Sequence, residues 1–189
     1  MSGFTDQQRQ TLLAIARASI EHGLRHAKCS ALDTAEFPAE LRARLACFVT
    51  LKTGQALRGC IGSLEAVRPL VMDVHENAYA AAFRDPRFEP LTWQEWPAVR
   101  ISLAILSPPA AMSVVDEETL LATLRPGIDG VILEYGPRRA TFLPAVWQTL
   151  PDPRDFVRQL KLKAGLSEQF WEQELRIYHY TTTTIDADP

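Results

Sequence analysis

Apolar positions recur along this chain with two different periods, and the points where the period changes mark its elements. Leu12, Leu13, Ala16, Ile20 and Leu24 fall at helical spacing. Thr5 followed by Gln8 makes a capping box, in which each side chain bonds the other residue's backbone N–H, so a helix is predicted from Thr5 to about His26. Gly23 is expected to weaken only its last turn. Leu45 to Thr53 is rich in Phe, Val and Thr and is followed by Thr53-Gly54-Gln55 and then Ala56 to Gly62, a β-hairpin signature. Behind Pro69, which suits a first helical turn, Leu70, Val74, Ala78 and Ala82 share one face and predict a second helix to about Phe83. Asp85-Pro86-Arg87-Phe88 stops it, because a residue before proline avoids the α region.

Val99 to Leu106 is dense in aliphatic residues and ends at Pro108-Pro109, the mark of a mostly buried strand. Asp116 can cap a short helix that ends before Pro126-Gly127. Gly130 to Tyr135, a turn at Gly136-Pro137-Arg138, and Arg139 to Leu143 read as a second hairpin. Asp152 opens a helix through Phe156, Val157, Leu160 and Leu162 that stops at Gly165. Ser167 is expected to cap a shorter helix, and Ile177 to Tyr180 to form a final strand. Hairpins rather than strand-helix-strand crossovers imply an α+β fold with a largely antiparallel sheet and flanking helices.

Bulk properties narrow the function classes. A chain of 189 residues suits one generous domain, or two lobes around a shared core. Its 47% apolar and 23% charged residues are ordinary for a globular protein. The net charge is −3, and Lys and Arg are scattered, so general nucleic-acid binding is not expected. Met1 to Gln10 is polar, and no apolar run approaches the ~20 residues that span a bilayer. The expectation is a cytoplasmic protein with no membrane association. Cys29, Cys47 and Cys60 are an odd set without CxxC spacing and read as free thiols. Gly127 and Gly130 complete neither GxGxxG nor a Walker loop, so no cofactor is expected.

The strongest chemical signal is Leu57-Arg58-Gly59-Cys60-Ile61-Gly62. Strand alternation would put Leu57 and Ile61 on a core face, and Arg58 and Cys60 together on the other. Gly59 and Gly62 would leave room for a ligand or a second backbone. A cation beside a thiol favours the nucleophilic thiolate, so Cys60 is the candidate nucleophile and Arg58, Gly59 and Gly62 candidate substrate contacts. The plainer alternative is a buried cysteine with a rim arginine in a packing motif. Asp85 and Arg87 read either as a locked turn with an internal ion pair or as part of an anion clamp with Arg58, with Glu95 a partner for either arginine. His75 is the histidine placed to approach Cys60, although it lies at the edge of a buried stripe. His22 and His26, four apart on a helix, lack a third ligand for a metal site.

The hexapeptide LRGCIG resembles the hallmark of the AMMECR domain family, known in prokaryotes as AmmeMemoRadiSam system protein A. Asn77-Ala78, Ala82-Phe83, Asp85 to Phe88 with Pro90-Leu91, and Ile101-Ser102 extend the resemblance. Further along, Gly127 to Val131, Ala140 to Pro144 with Val146-Trp147, and Lys163 to Gly165 continue it, so that it covers about residues 10 to 180. It implies a single domain of two unequal lobes, and an association with a Memo-like protein and a radical SAM protein. No CxxxCxxC motif is present, so this chain is not the radical enzyme of such a set. Where the family reads LPQV, this chain has Leu143-Pro144-Ala145-Val146, which removes an amide side chain. The function expected is a companion enzyme or ligand-binding factor holding a small anionic ligand. The alternative is a non-catalytic interaction domain whose LRGCIG segment packs.

Overall fold

The capping box at Thr5 forms as its residues dictate. Thr5 Oγ1 accepts the Gln8 N–H at 3.2 Å and Gln8 Oε1 accepts the Thr5 N–H at 2.9 Å, which starts helix α1, Asp6–His26. The computed structural model describes residues 3–187. Leu12, Ile15, Ala16 and Ile20 of α1 are buried. Gly23 serves packing: a Cβ there would overlap the rings of Phe83 and Tyr79. Strands β1, Cys47–Thr53, and β2, Ala56–Gly62, form the first hairpin, with Gly54 at the turn in the left-handed region at φ 59°. Helix α2, Leu70–Phe83, and strand β3, Val99–Leu106, follow with the predicted bounds.

Two compact units result. One runs to Leu106 and resumes at Thr183, and the other is Ser107–Thr182. In the first, Val49, Leu51, Ile101, Leu103 and Ile105 lie against Leu12, Ile20, Val74 and Ala78 in one core. The second begins with β4, Ala110–Ala111, and α3, Glu117–Thr123, capped by Asp116. The hairpin β5, Gly130–Tyr135, and β6, Arg138–Phe142, comes next, then α4, Pro153–Lys163, and β7, Arg176–Tyr180. Its core holds Leu133, Phe156, Leu160 and Ile177. Trp147 is core as well: it stacks on Phe156 at 3.8 Å between centroids and donates to the Asp129 carbonyl. Strand β8, Thr182–Asp186, completes the sheet of the first unit.

The strand orders are β2-β1-β3-β8 and β4-β7-β5-β6. Each β1 and β5 pairing is antiparallel, as expected, but the two hairpins sit in separate sheets. The helix expected after Ser167 does not form. Phe170 bonds back to Ser167 and Leu175 to Glu172 in isolated turns. The Glu168 carbonyl, which a continuing helix would need, is taken by Lys161 Nζ at 2.9 Å. Among the described residues, no helix is long and apolar enough to cross a membrane.

Candidate functional site

β2 is an edge strand, and its pairing with β1 carries a one-residue irregularity that decides where the motif's side chains go. Lys52 stands opposite Leu57, but Leu51 stands opposite Gly59, so Arg58 is the extra residue of a β-bulge. Leu57 therefore shares the side of Lys52 and Cys60 and is 40% exposed. This corrects the expected alternation, which put Leu57 in the core beside Ile61. Ile61 does lie opposite the buried Val49. The bulge also releases Arg58 from the alternation that was to set it beside Cys60.

Gly59 faces α2. A Cβ at this position would overlap the carbonyl oxygen of Ala81, so strand and helix meet backbone to backbone. Gly62 instead makes room for the Phe48 ring. Both glycines thus admit parts of this chain.

The four charged residues named from the sequence form two ion pairs. Arg58 Nε donates to Glu95 Oε1 at 2.7 Å, and its Nη2 donates to the Glu89 carbonyl at 2.9 Å. The bonds from Arg58 to Glu95, with help from Thr92, hold the Glu95 carboxyl down at about 2. Arg87 grips Asp85 through Nε at 2.9 Å and Nη2 at 2.6 Å. The same pair closes on the free edge of β2: Asp85 Oδ2 accepts the Cys60 N–H at 2.8 Å, and Arg87 Nη2 donates to the Cys60 carbonyl at 3.2 Å. Arg87 foremost, then the Cys60 N–H, keeps the buried Asp85 carboxyl far below the usual carboxylate range despite its desolvation. The Asp85-Pro86-Arg87 turn thus satisfies edge-strand groups that would otherwise invite another chain.

The thiol of Cys60 lies elsewhere. Cys60 pairs with Thr50, and Thr50 with Ser102, so these three side chains form one cross-strand row on the face of the sheet turned away from α2. Thr50 Oγ1 donates to Cys60 Sγ at 3.3 Å, and all three residues are partly exposed. The flanking row is Leu57, Lys52 and Arg100, of which the last two are exposed cations. On the other side Gly62, Phe48 and Ala104 form a row of mostly small residues. Sequence reading missed Thr50, Ser102, Lys52 and Arg100. Alternation along β3 and the hairpin register, once the bulge is known, would have placed them.

His75 is not the partner of Cys60. Its Nε2 lies 2.9 Å from the Ser30 carbonyl and 3.4 Å from Cys29 Sγ. The His22 and His26 rings lie tilted against each other with centroids 4.4 Å apart, and among the described residues no group of three potential ligands is placed to hold a metal.

An edge strand LRGCIG, bulged and locked by a DPRF turn on one of two four-stranded antiparallel sheets, defines an α+β protein of a recognisable kind. The crystal structure of "Uncharacterized Protein PH0010" from Pyrococcus horikoshii superposes with a TM-score of 0.81 at 29% identity, covering 96% of this chain and 92% of that one. A protein from Methanothermobacter thermautotrophicus is 36% identical over 183 residues, 95% of this chain and 94% of its own length. Protein MJ0810 of Methanocaldococcus jannaschii is 36% identical over 87% of this chain and 83% of its own. The AMMECR1 family model matches residues 13–185. This chain belongs to the AMMECR1 family.

Proposed function

We propose that this chain is a companion enzyme or ligand-binding factor, acting in the cytoplasm beside Memo-like and radical SAM partners of an AmmeMemoRadiSam set, and that the open face carrying Cys60 is its working surface. The observation that supports this is the row Cys60, Thr50 and Ser102 beside the exposed cations Lys52 and Arg100. A thiol and two hydroxyls can bond the acceptor oxygens of a small ligand, and the neighbouring cations would hold its negative charge. Cys60 is the candidate nucleophile in this reading. Arg58 and Arg87 act as supports, since each is committed to a carboxylate, and they carry the strand rather than the ligand.

A mass-spectrometric survey of small molecules that co-purify with the chain tests the proposal. A phosphate- or carboxylate-bearing compound should be retained by the wild type, lost from Lys52→Ala with Arg100→Ala, and weakened in Cys60→Ser. Equal retention by all three proteins would remove the site.

A second reading is favoured by a separate observation: LRGCIG is bound into the fold at Gly59, at Arg58 and along the backbone of Cys60. It makes the motif a packing device and the chain a non-catalytic interaction domain. That reading predicts no retained ligand and an undiminished complex between a Memo-like protein and the Cys60→Ser variant.

A further inference from the structure

A hollow of about 310 Å³ opens on the first unit, lined in part by Cys29, Ser30, Asn77, Tyr79 and Arg84. Its volume is at the small end of the ~300–1,000 Å³ common for small-molecule sites. It belongs to the loop after α1 and the outward side of α2, whereas Cys60 projects from the opposite face of the sheet that α2 covers. The two sites share no residue.

The charges around this hollow are unevenly paired. Arg68, also on the lining, is held by Asp73 at 2.7 Å and by Glu76, so this one arginine engages both carboxylates. Arg84 is exposed and has no carboxylate partner among the described residues. It lies over the Tyr79 ring, 5.1 Å from the centroid. A cation–π contact of this kind consumes no N–H donor, so the guanidinium keeps its donors for an acceptor. Among the described residues, the lining cation without an ion-pair partner is therefore Arg84.

The remaining lining is uncharged, and Ser30 and Asn77 give it polar groups. Burial pushes the Cys29 thiol up, so near neutral pH it stays protonated and does not repel an anion. His75 Nε2, at 2.9 Å from the Ser30 carbonyl, fixes the Cys29-Ser30 segment against α2. The Ser30 hydroxyl, 3.4 Å from the same nitrogen, supplies a further polar group.

We infer that this hollow is a second binding site, for a small molecule bearing a carboxylate or phosphate group, with Arg84 as its anchor and Cys29 in its wall. Occupancy would cover the thiol, which gives a direct readout. Wild-type protein is treated with iodoacetamide, which forms an S–C bond and expels iodide, and Cys29 is followed by peptide mass spectrometry separately from Cys47 and Cys60. Inorganic phosphate and malonate are the two probes, with sodium chloride matching the ionic strength. At a probe concentration four times its Kd, simple mass action lowers the Cys29 rate about five-fold. The protection should saturate, be absent from Arg84→Ala, and leave the Cys60 rate unchanged. Protection by one probe alone assigns the site to that chemistry. No saturable protection by either probe, or equal protection in Arg84→Ala, overturns the inference. Should the variant fail to fold, calorimetric titration of the wild type with each probe decides the same question, and absence of saturable heat with both overturns the site. Loss of Cys29 protection leaves the Cys60 proposal untouched, because that one is read at Lys52 and Arg100.

Discussion

Glycines at two positions of one hairpin are required for different reasons, and their substitution separates those reasons. Gly54 sits at φ 59° with open space where a Cβ would go, so Gly54→Ala carries only the backbone penalty of the left-handed region, about 1 kcal/mol. Gly59 meets the backbone oxygen of Ala81, which has no rotamer to give. Gly59→Ala is expected to cost about 3 kcal/mol, the upper end of ordinary overpacking, through forced separation of β2 from α2. Urea unfolding of both variants measures the difference, and equal midpoints would contradict it. From the sequence, Gly59 reads as an opening for a ligand. The hexapeptide gives no sign that a helix spaced about twenty residues on fills that opening.

At the scale of elements, the lock between β2 and the Asp85-Pro86-Arg87 turn is ionic and therefore depends on pH. The Asp85 carboxyl titrates below its ordinary value in the fold, so its contribution is complete above an unfolded pKa of about 3.9 and disappears as pH falls through the lower folded value. Glu95, lowered from 4.5 to about 2, adds to the same acid limb. Asp85→Asn should be less stable than the wild type at neutral pH, yet lose less stability between about pH 5 and pH 2. Thermal melts across that range read this out, and parallel acid limbs for the two proteins would show the lock to be inert. Element boundaries were largely legible: α1, α2, β3 and the hairpin carry their signals in caps, glycines and apolar periods. The bulge at Arg58 was legible only in part, because a glycine within a strand often marks a bulge but does not say which residue is the extra one. A single inserted position moved Leu57 across the sheet and separated the expected pairing of arginine and thiol. The ion pair of Arg87 with Asp85 was legible as a turn, but its grip on the Cys60 backbone depends on a fold-level approach. Strand β8 escaped because Thr182, Thr183 and Thr184 offer β-branched side chains without apolar alternation.

For the whole molecule, chain connectivity matters more than any one contact. The first unit takes its fourth strand, β8, from beyond the entire second unit, and β8 lies beside β3. Ending the chain after Tyr180 would leave a β3 edge that is rich in Ile and Leu. Such a truncation is expected to self-associate, seen as an increase in light scattering at micromolar concentration, while the full chain does not. An unchanged scattering signal would mean that β8 is dispensable.

The same ordering sets a timetable during synthesis. A ribosome adds roughly 5–20 residues each second, so the segment ending at Leu106 waits several seconds, unsealed, while the intervening residues are made. The second unit, contiguous in the message, can fold in that interval. The earlier-made half must remain receptive until the last threonines emerge, and that delay is the moment at which a chaperone has most to protect.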